Sequence, residues 1–360
     1  MFKKLFYTII YFLLGNSMFA NMANPYVNGT KNSLFISSKD VSVTKENIDI
    51  FLLKDIAEVA YTITYEIESD TNTVLPLLFI ASNYEHDFKV IINGDNDEDT
   101  KVLKKITGTE IKEEFSYLKV LDNEHVDVPF SKTETVTARM DDLIAFNASL
   151  RKGKNTIEVA YFALNSYNRH DWFKKPTIEY SLYPSKFWKS FGTISIKIHS
   201  EQLFKIDSSN IGKPMLTFKQ SYNNEYSWQL KKITTDVMSI QVSPKISLLS
   251  KILIALDPIG IAIIILIILI IFHFKRIKKY AQTSPDKINK PLWLGNILIP
   301  IIFIVVFLFS FSLIDWTLAE SAGNFHGYIF MIILMLPFFW MGYSLFMWLI
   351  YRQIILRNNR

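Results

Sequence analysis

Residues 21–246 are dominated by short segments in which apolar and polar side chains alternate. Residues 57–67 read AEVAYTITYEI, and residues 193–199 read TISIKIH with three isoleucines on one face. Because successive side chains of a strand point to opposite faces, this period of two predicts half-buried β-strands. Further strands are predicted at residues 47–53, 74–81, 88–93, 156–164, 177–183, 215–219, 226–230 and 237–242.

No comparably long stretch with a helical period occurs in this region, so we expect a mainly β fold followed by transmembrane α-helices. Two β-sandwich domains are predicted, residues 21–165 and residues 166–246. The boundary is placed where the polar sequence SYNR follows a strongly patterned strand. One continuous sandwich is the alternative.

Three apolar runs follow and predict membrane-spanning helices at residues 247–274, 293–314 and 328–350. In the first run, Asp257 and Pro258 suit the N-cap and the first turn of a helix. Residues 247–256 then either extend this span or lie at the membrane interface. The spans are joined by residues 275–292 and 315–327, and a tail of residues 351–360 follows.

Lysine and arginine in these short connections predict the orientation. Residues 275–292 contain six of them and the tail contains three, whereas residues 315–327 contain none. The basic loop and the C-terminus are therefore expected in the cytoplasm, and the large β region outside. Residues 1–20 combine two lysines with a short apolar stretch, which is typical of a secretory signal peptide. An uncleaved anchor helix is the alternative.

Composition and charge narrow the function classes. The chain has 360 residues, 49% of them hydrophobic, and no cysteine, which excludes disulfides, thiolate nucleophiles and cysteine-ligated metals. Residues 21–250 hold 27 Lys and Arg against 30 Asp and Glu, so the β region offers no basic face for nucleic acid. The basic net charge belongs to the signal and membrane segments.

Candidate chemistry is sparse. Asp95, Asp97 and Asp99 begin like a calcium-binding loop, but Thr100 stands where that loop needs glycine and Ile106 where it needs glutamate. We therefore expect a solvated turn. The six histidines form no metal-binding spacing. His170 is adjacent to Asp171, but no nucleophile motif accompanies this pair. No catalytic residue, metal or cofactor is predicted.

Aromatic side chains are dense in residues 161–191 and alternate with lysine and arginine. If exposed, they would form a surface for a carbohydrate or a protein through stacking and cation–π contacts. If buried, they belong to the core and the domain interface, which is the commoner use of aromatic residues in strands. The weak candidates for a binding surface are Tyr167, Trp172, Phe173, Phe187 and Trp188.

These observations predict a non-enzymatic bacterial envelope protein, anchored in the cytoplasmic membrane, whose exterior β-domains bind a protein partner or a surface polymer. The alternative is an accessory subunit of a membrane export or transport complex. A periplasmic hydrolase with a dispersed site is a third hypothesis, weakened by the missing motifs. Beyond the lipid bilayer and such a partner, no interaction is expected, and nucleic acid is set aside.

Overall fold

The computed structural model describes residues 26–27, 29–36, 41–82, 88–94, 106–219, 223–323 and 329–358. The predicted signal peptide and the Asp95–Asp99 loop lie outside the described residues. Within them, the chain forms a mainly β region followed by long apolar helices, which confirms the predicted fold class.

Ten of the eighteen described strands overlap with the predicted segments, eight were not predicted, and one short helix separates β6 from β7. In chain order the strands are β1 (Tyr26–Val27), β2 (Lys31–Ile36), β3 (Val41–Leu52), β4 (Glu58–Ser69), β5 (Thr73–Ser82), β6 (Lys89–Ile92), β7 (Lys119–Val120), β8 (His125–Pro129), β9 (Thr135–Arg139), β10 (Leu143–Leu150), β11 (Gly153–Leu164), β12 (Tyr167–Asn168), β13 (Thr177–Ser181), β14 (Phe191–Ser200), β15 (Phe204–Ser209), β16 (Met215–Lys219), β17 (Asn224–Leu230) and β18 (Val237–Pro244). The helices are α1 (Gly108–Glu114), α2 (Leu248–Thr283), α3 (Asn289–Leu318) and α4 (Leu336–Asn358).

A seven-stranded sheet organises the β region in the order β16-β17-β14-β3-β4-β11-β6. Strands β14 and β3 pair in parallel, and the other pairs are antiparallel. The parallel pair joins strands from the two sides of residue 165. The boundary predicted there therefore lies between strands that pair within one sheet.

The core follows from the alternation in the long central strands. Ile48 and Ile50 of β3 and Tyr61 and Ile63 of β4 are buried on one face of the sheet. Side chains of β5, β10, β13 and β18 complete the same hydrophobic cluster. These strands belong to two three-stranded sheets, β10-β5-β2 and β13-β18-β15. A smaller cluster under α1 joins β8 and β9 to β5 and β10.

Among the described residues, three helices are long and apolar enough to cross a membrane: Leu248–Thr283, Asn289–Ser321 and Met331–Ile354. They overlap with the three predicted spans. Helix α2 continues past the predicted end at residue 274, because the lysine and arginine residues that follow are good helix formers. Helix α2 is broken at Asp257, whose side chain accepts a hydrogen bond from the Ile259 amide (3.2 Å), as the Asp-Pro pair predicted.

The β region and the helices are joined at two places. One is the covalent link that runs from β18 to Ser247, the N-cap of α2. The other is a contact with the turn that follows α3, in which Phe173 and Ala322 form an antiparallel β-bridge. Two hydrogen bonds flank this bridge, from the Lys174 amide to the Ser321 carbonyl (2.8 Å) and from the Gly323 amide to the Trp172 carbonyl (3.0 Å).

Candidate functional site

Two of the aromatic candidates hold the β region against the helices. Trp172 stacks on Phe311 of α3, with ring centroids 5.7 Å apart. Together, Trp172 and Phe173 pack on a buried cluster that includes Ile314 and Ala322. These two side chains therefore contribute to the internal junction that the β-bridge defines.

The other three aromatic candidates also make contacts within the protein. Tyr167 lies in β12, and the Lys174 ammonium sits 5.6 Å from the centre of its ring. Phe187 stacks on Tyr117 at 4.4 Å, and Trp188 is buried in the main core. Trp172 and Phe173 share one packing environment and the other three candidates lie in different ones, which favours the core-and-interface alternative over one binding patch.

Glu46 is a charged residue in the sheet interior that the sequence analysis did not single out. It lies in β3, only 2% exposed, and the Tyr180 hydroxyl donates a hydrogen bond to its Oε1 atom (2.8 Å). The Tyr65 and Tyr180 hydroxyls are also 2.8 Å apart. Because Tyr65 also hydrogen-bonds to Glu46, either hydroxyl can be the donor in the contact between the two tyrosines. Burial raises the pKa of Glu46 to about 7, while the tyrosine hydrogen bonds oppose that rise.

A β-bulge explains why Glu46 faces inward. The buried positions of β3 begin at Val41 and Val43, and the pairing with β4 then slips by one residue before Lys45. After the slip, Glu46 falls in phase with the buried Ile48. The sequence does carry this signal, because Glu46 continues the even-numbered series of apolar residues Ile48, Ile50 and Leu52. The adjoining cavity has a volume of about 10 Å³, which is room for about one water molecule.

A second buried polar group, His273, connects the three long helices. A carbonyl oxygen only accepts, so the His273 Nε2 atom carries the hydrogen in its 3.1 Å contact with the Pro291 carbonyl. The Nδ1 atom then accepts a hydrogen bond from the Tyr343 hydroxyl (2.8 Å). The ring lies against Gly295, where a Cβ atom would come within 2.2 Å of Nε2. Both ring nitrogens are used in helix packing, which indicates a structural role.

Among the described residues, strand β16 forms an exposed edge of the β region. It is the outermost strand of the seven-stranded sheet, and all five of its residues are exposed. Three of them are large and apolar: Met215 (69% exposed), Leu216 (49%) and Phe218 (45%). On an edge strand, one row of backbone amides and carbonyls has no neighbouring strand, which makes the edge a template for another chain. The sequence analysis predicted this strand with its observed bounds but assigned it no role.

A groove of about 360 Å³ lies next to the turn that precedes this strand. Its walls come from β15, from the turn before β16 and from β17, and include Ile206, Lys213, Pro214 and Tyr226. The pairing of β16 with β17 slips by one residue between Leu216 and Phe218, which bends the edge at this point. The site therefore combines an open backbone, apolar side chains and a neighbouring recess. The described residues contain no group of three or more His, Asp or Glu side chains that could hold a metal ion.

The edge ends close to the start of α2. Lys219, the last residue of β16, pairs with Asn224, whose side chain forms two hydrogen bonds with the Phe204 backbone (2.7 and 3.1 Å). The adjacent Leu203 carbonyl accepts a hydrogen bond from the Lys245 amide (2.9 Å), two residues before the N-cap of α2. The open edge is therefore held near the membrane helices.

Comparison with known proteins adds little to this picture. No protein-family model matches the chain, and no curated protein matches it. Among solved structures, an M1 zinc metallopeptidase from Deinococcus radiodurans aligns with a TM-score of 0.29 and 7% identity over 58% of this chain and 45% of its own. The aminopeptidase A of Legionella pneumophila, solved in complex with aspartic acid, aligns with a TM-score of 0.32 and 11% identity over 58% and 22%. The chain spans less than half the length of these structures, and at such TM-scores the likeness carries no functional argument.

Proposed function

We propose that the protein is a non-enzymatic, membrane-anchored binding protein of the bacterial envelope that takes up an extended segment of a partner protein along β16. The observation that carries this proposal is the exposure of Met215, Leu216 and Phe218 on an open sheet edge. In such binding, backbone hydrogen bonds provide affinity and the side-chain recesses provide selectivity. The groove next to the turn that precedes β16 supports this mode, because it offers a recess for a side chain of the added segment.

The membrane placement forms part of the same proposal. Basic residues 275–279 at the end of α2 and the arginines of the tail favour the cytoplasm, so the β region lies outside. The three helices then anchor it in the cytoplasmic membrane. A surface polymer is the less favoured ligand, because an open strand edge offers a row of alternating backbone donors and acceptors that matches another strand.

Photo-crosslinking in the source bacterium tests this function. A photoreactive phenylalanine analogue replaces Leu216 in the full-length protein, and a second variant carries it at Leu121, an equally exposed leucine outside the edge. We expect a protein adduct at position 216 and not at position 121. Adducts with lipid or glycan alone, or equal adducts at the two positions, would overturn the proposal.

Hydrogen exchange on the isolated adduct tests the binding mode. Strand addition protects the β16 amides, so their exchange should slow at least tenfold relative to the free protein. Side-chain binding alone would leave this exchange unchanged and would contradict the strand-addition mechanism.

A further inference from the structure

Helix α2 is broken at Asp257, where an acidic residue adopts an unusual backbone conformation. Asp257 has φ 59° and ψ 154°, a backbone conformation that is normally confined to glycine. The chain is helical on both sides, over residues 248–256 and 258–283. The Asp257 Oδ1 atom caps the second segment by accepting a hydrogen bond from the Ile259 amide. Helix α2 is thus kinked at a residue with a carboxylate side chain.

Contacts with α3 place this carboxylate below the membrane surface. The Ser250 hydroxyl donates to the Thr317 carbonyl (3.1 Å), beside the exposed Trp316. Tryptophan is the residue type that marks the membrane–water interface. Asp257 is seven residues further along α2, about 10 Å deeper at about 1.5 Å per residue. The packing of Ala262 against Phe303 and Ile304 continues the same alignment of the two helices.

Asp257 is nevertheless exposed on the surface of the helices, next to the exposed side chains of Leu256 and Ile259. A carboxylate that faces hydrocarbon is unfavourable, and irregular backbone at this depth is tolerated where protein covers it. The described contacts of Asp257 lie within its own helix. We therefore expect another group to cover Asp257, and the described contacts of this chain do not supply one.

The sequence restricts what that group can be. The only lysine or arginine in the outer half of the three described spans is Lys251, six residues before Asp257 and about 9 Å nearer the membrane surface. A second copy of this chain could therefore offer a basic side chain only from nearer the surface, and not at the depth of Asp257.

We propose that Asp257, with Leu256 and Ile259, forms the docking site for a membrane-spanning helix of a different protein, and that this helix carries a lysine or arginine in its outer half. An oppositely charged partner neutralises the carboxylate, and the two apolar side chains provide the packing surface. This contact is independent of β16. It supports the accessory-subunit hypothesis for the helical part of the chain.

Photo-crosslinking from Ile259 of the full-length protein in the source bacterium provides the test. We expect an adduct whose crosslinked peptide, mapped by mass spectrometry, is a membrane span with a lysine or arginine in its outer half. Asp257→Asn should reduce the adduct yield at least tenfold, and the matched control Asp286→Asn in the basic loop should leave it unchanged. Restoration of the adduct by Asp257→Lys combined with an acidic residue at the partner's basic position would establish the charge pairing.

A second variant separates loss of the partner from loss of folding. Asp257→Gly removes the carboxylate and suits the observed backbone conformation, so the purified protein should melt at or above the parent temperature while its adduct is lost. An adduct with lipid alone, with another copy of this chain or with a span that lacks a basic residue would overturn the proposal. So would an adduct whose yield survives Asp257→Asn.

Discussion

The two outer strands of the seven-stranded sheet, β6 and β16, use their side chains in opposite ways. In β6, Val90 and Ile92 are 7% and 4% exposed and belong to the main core. In β16, every side chain is exposed, although three of the five are large and apolar. Burial of such a side chain contributes roughly 1.5–3 kcal/mol to folding, and exposure contributes almost nothing. The apolar character of β16 is therefore not explained by folding, whereas that of β6 is.

The interior of the same sheet should show the largest effect of a single substitution. Gly192 of β14 lies opposite the β3 bulge, and a Cβ atom there would come within 1.9 Å of the Thr44 carbonyl oxygen. Because backbone cannot rotate away as a side chain can, Gly192→Ala should separate the parallel pair and destabilise the protein by about 4 kcal/mol or more. Thermal melting of the detergent-purified protein measures this loss. Gly342→Ala in α4 is the control, because nothing lies within 4 Å of its Cβ position and its backbone is helical; a parent-like melt for Gly192→Ala would contradict the close approach.

Truncation of one apolar side chain in each edge strand measures how much β6 and β16 contribute to stability. Ile92→Ala removes a buried side chain and should lower the free energy of unfolding by about 2–4 kcal/mol. Phe218→Ala removes a larger side chain from β16 but leaves no cavity, so it should change stability by less than about 0.5 kcal/mol. Chemical denaturation of both variants checks the pair. Equal losses would show that β16 is covered within the protein after all.

Glu46 gives the interior of the sheet a pH dependence that the edges do not share. Its pKa is raised from 4.5 in the unfolded chain to about 7 in the folded protein. The stability that protonation provides is therefore complete below about pH 4.5 and is lost as the pH rises through 7, up to about 3 kcal/mol. Glu46→Gln should remove this loss between pH 5 and pH 8. Melting curves across that range measure it, and Glu66→Gln on the neighbouring strand, half-exposed beside Lys45, should keep the parent profile.

The smallest expected effect concerns β16 alone. Leu216→Ser with Phe218→Ser should leave the melting temperature within about 1 °C of the parent, because neither side chain is in the core. The same double variant should lose the β16 adduct when the photoreactive group is moved to Met215. Persistence of that adduct would show that the apolar side chains of the edge do not select the partner.

Much of the fold could be predicted from local patterns because period-two alternation and long apolar runs report burial directly. The long central strands and the three spans were found in this way, and the Asp257-Pro258 pair predicted the cap at Asp257. The parallel pairing of β14 with β3 could not be, because alternation reports which face is buried and not which strand lies alongside. The inward turn of Glu46 depends on a bulge of one residue, and the depth of Asp257 depends on the alignment of α2 with α3. These features follow from contacts between distant residues.

The β-bridge between Phe173 and Ala322 restricts how the β region can move relative to the helices. With the link at Ser247, it attaches the β region to the helices at two points, so rotation about a single tether is prevented. In the proposed membrane orientation, the open edge then keeps a constant height and direction above the lipid. A proposed partner in the same membrane would search in two dimensions, at a raised effective concentration, and would lose less rotational freedom on docking. An affinity that is modest between two freely tumbling proteins would then be sufficient.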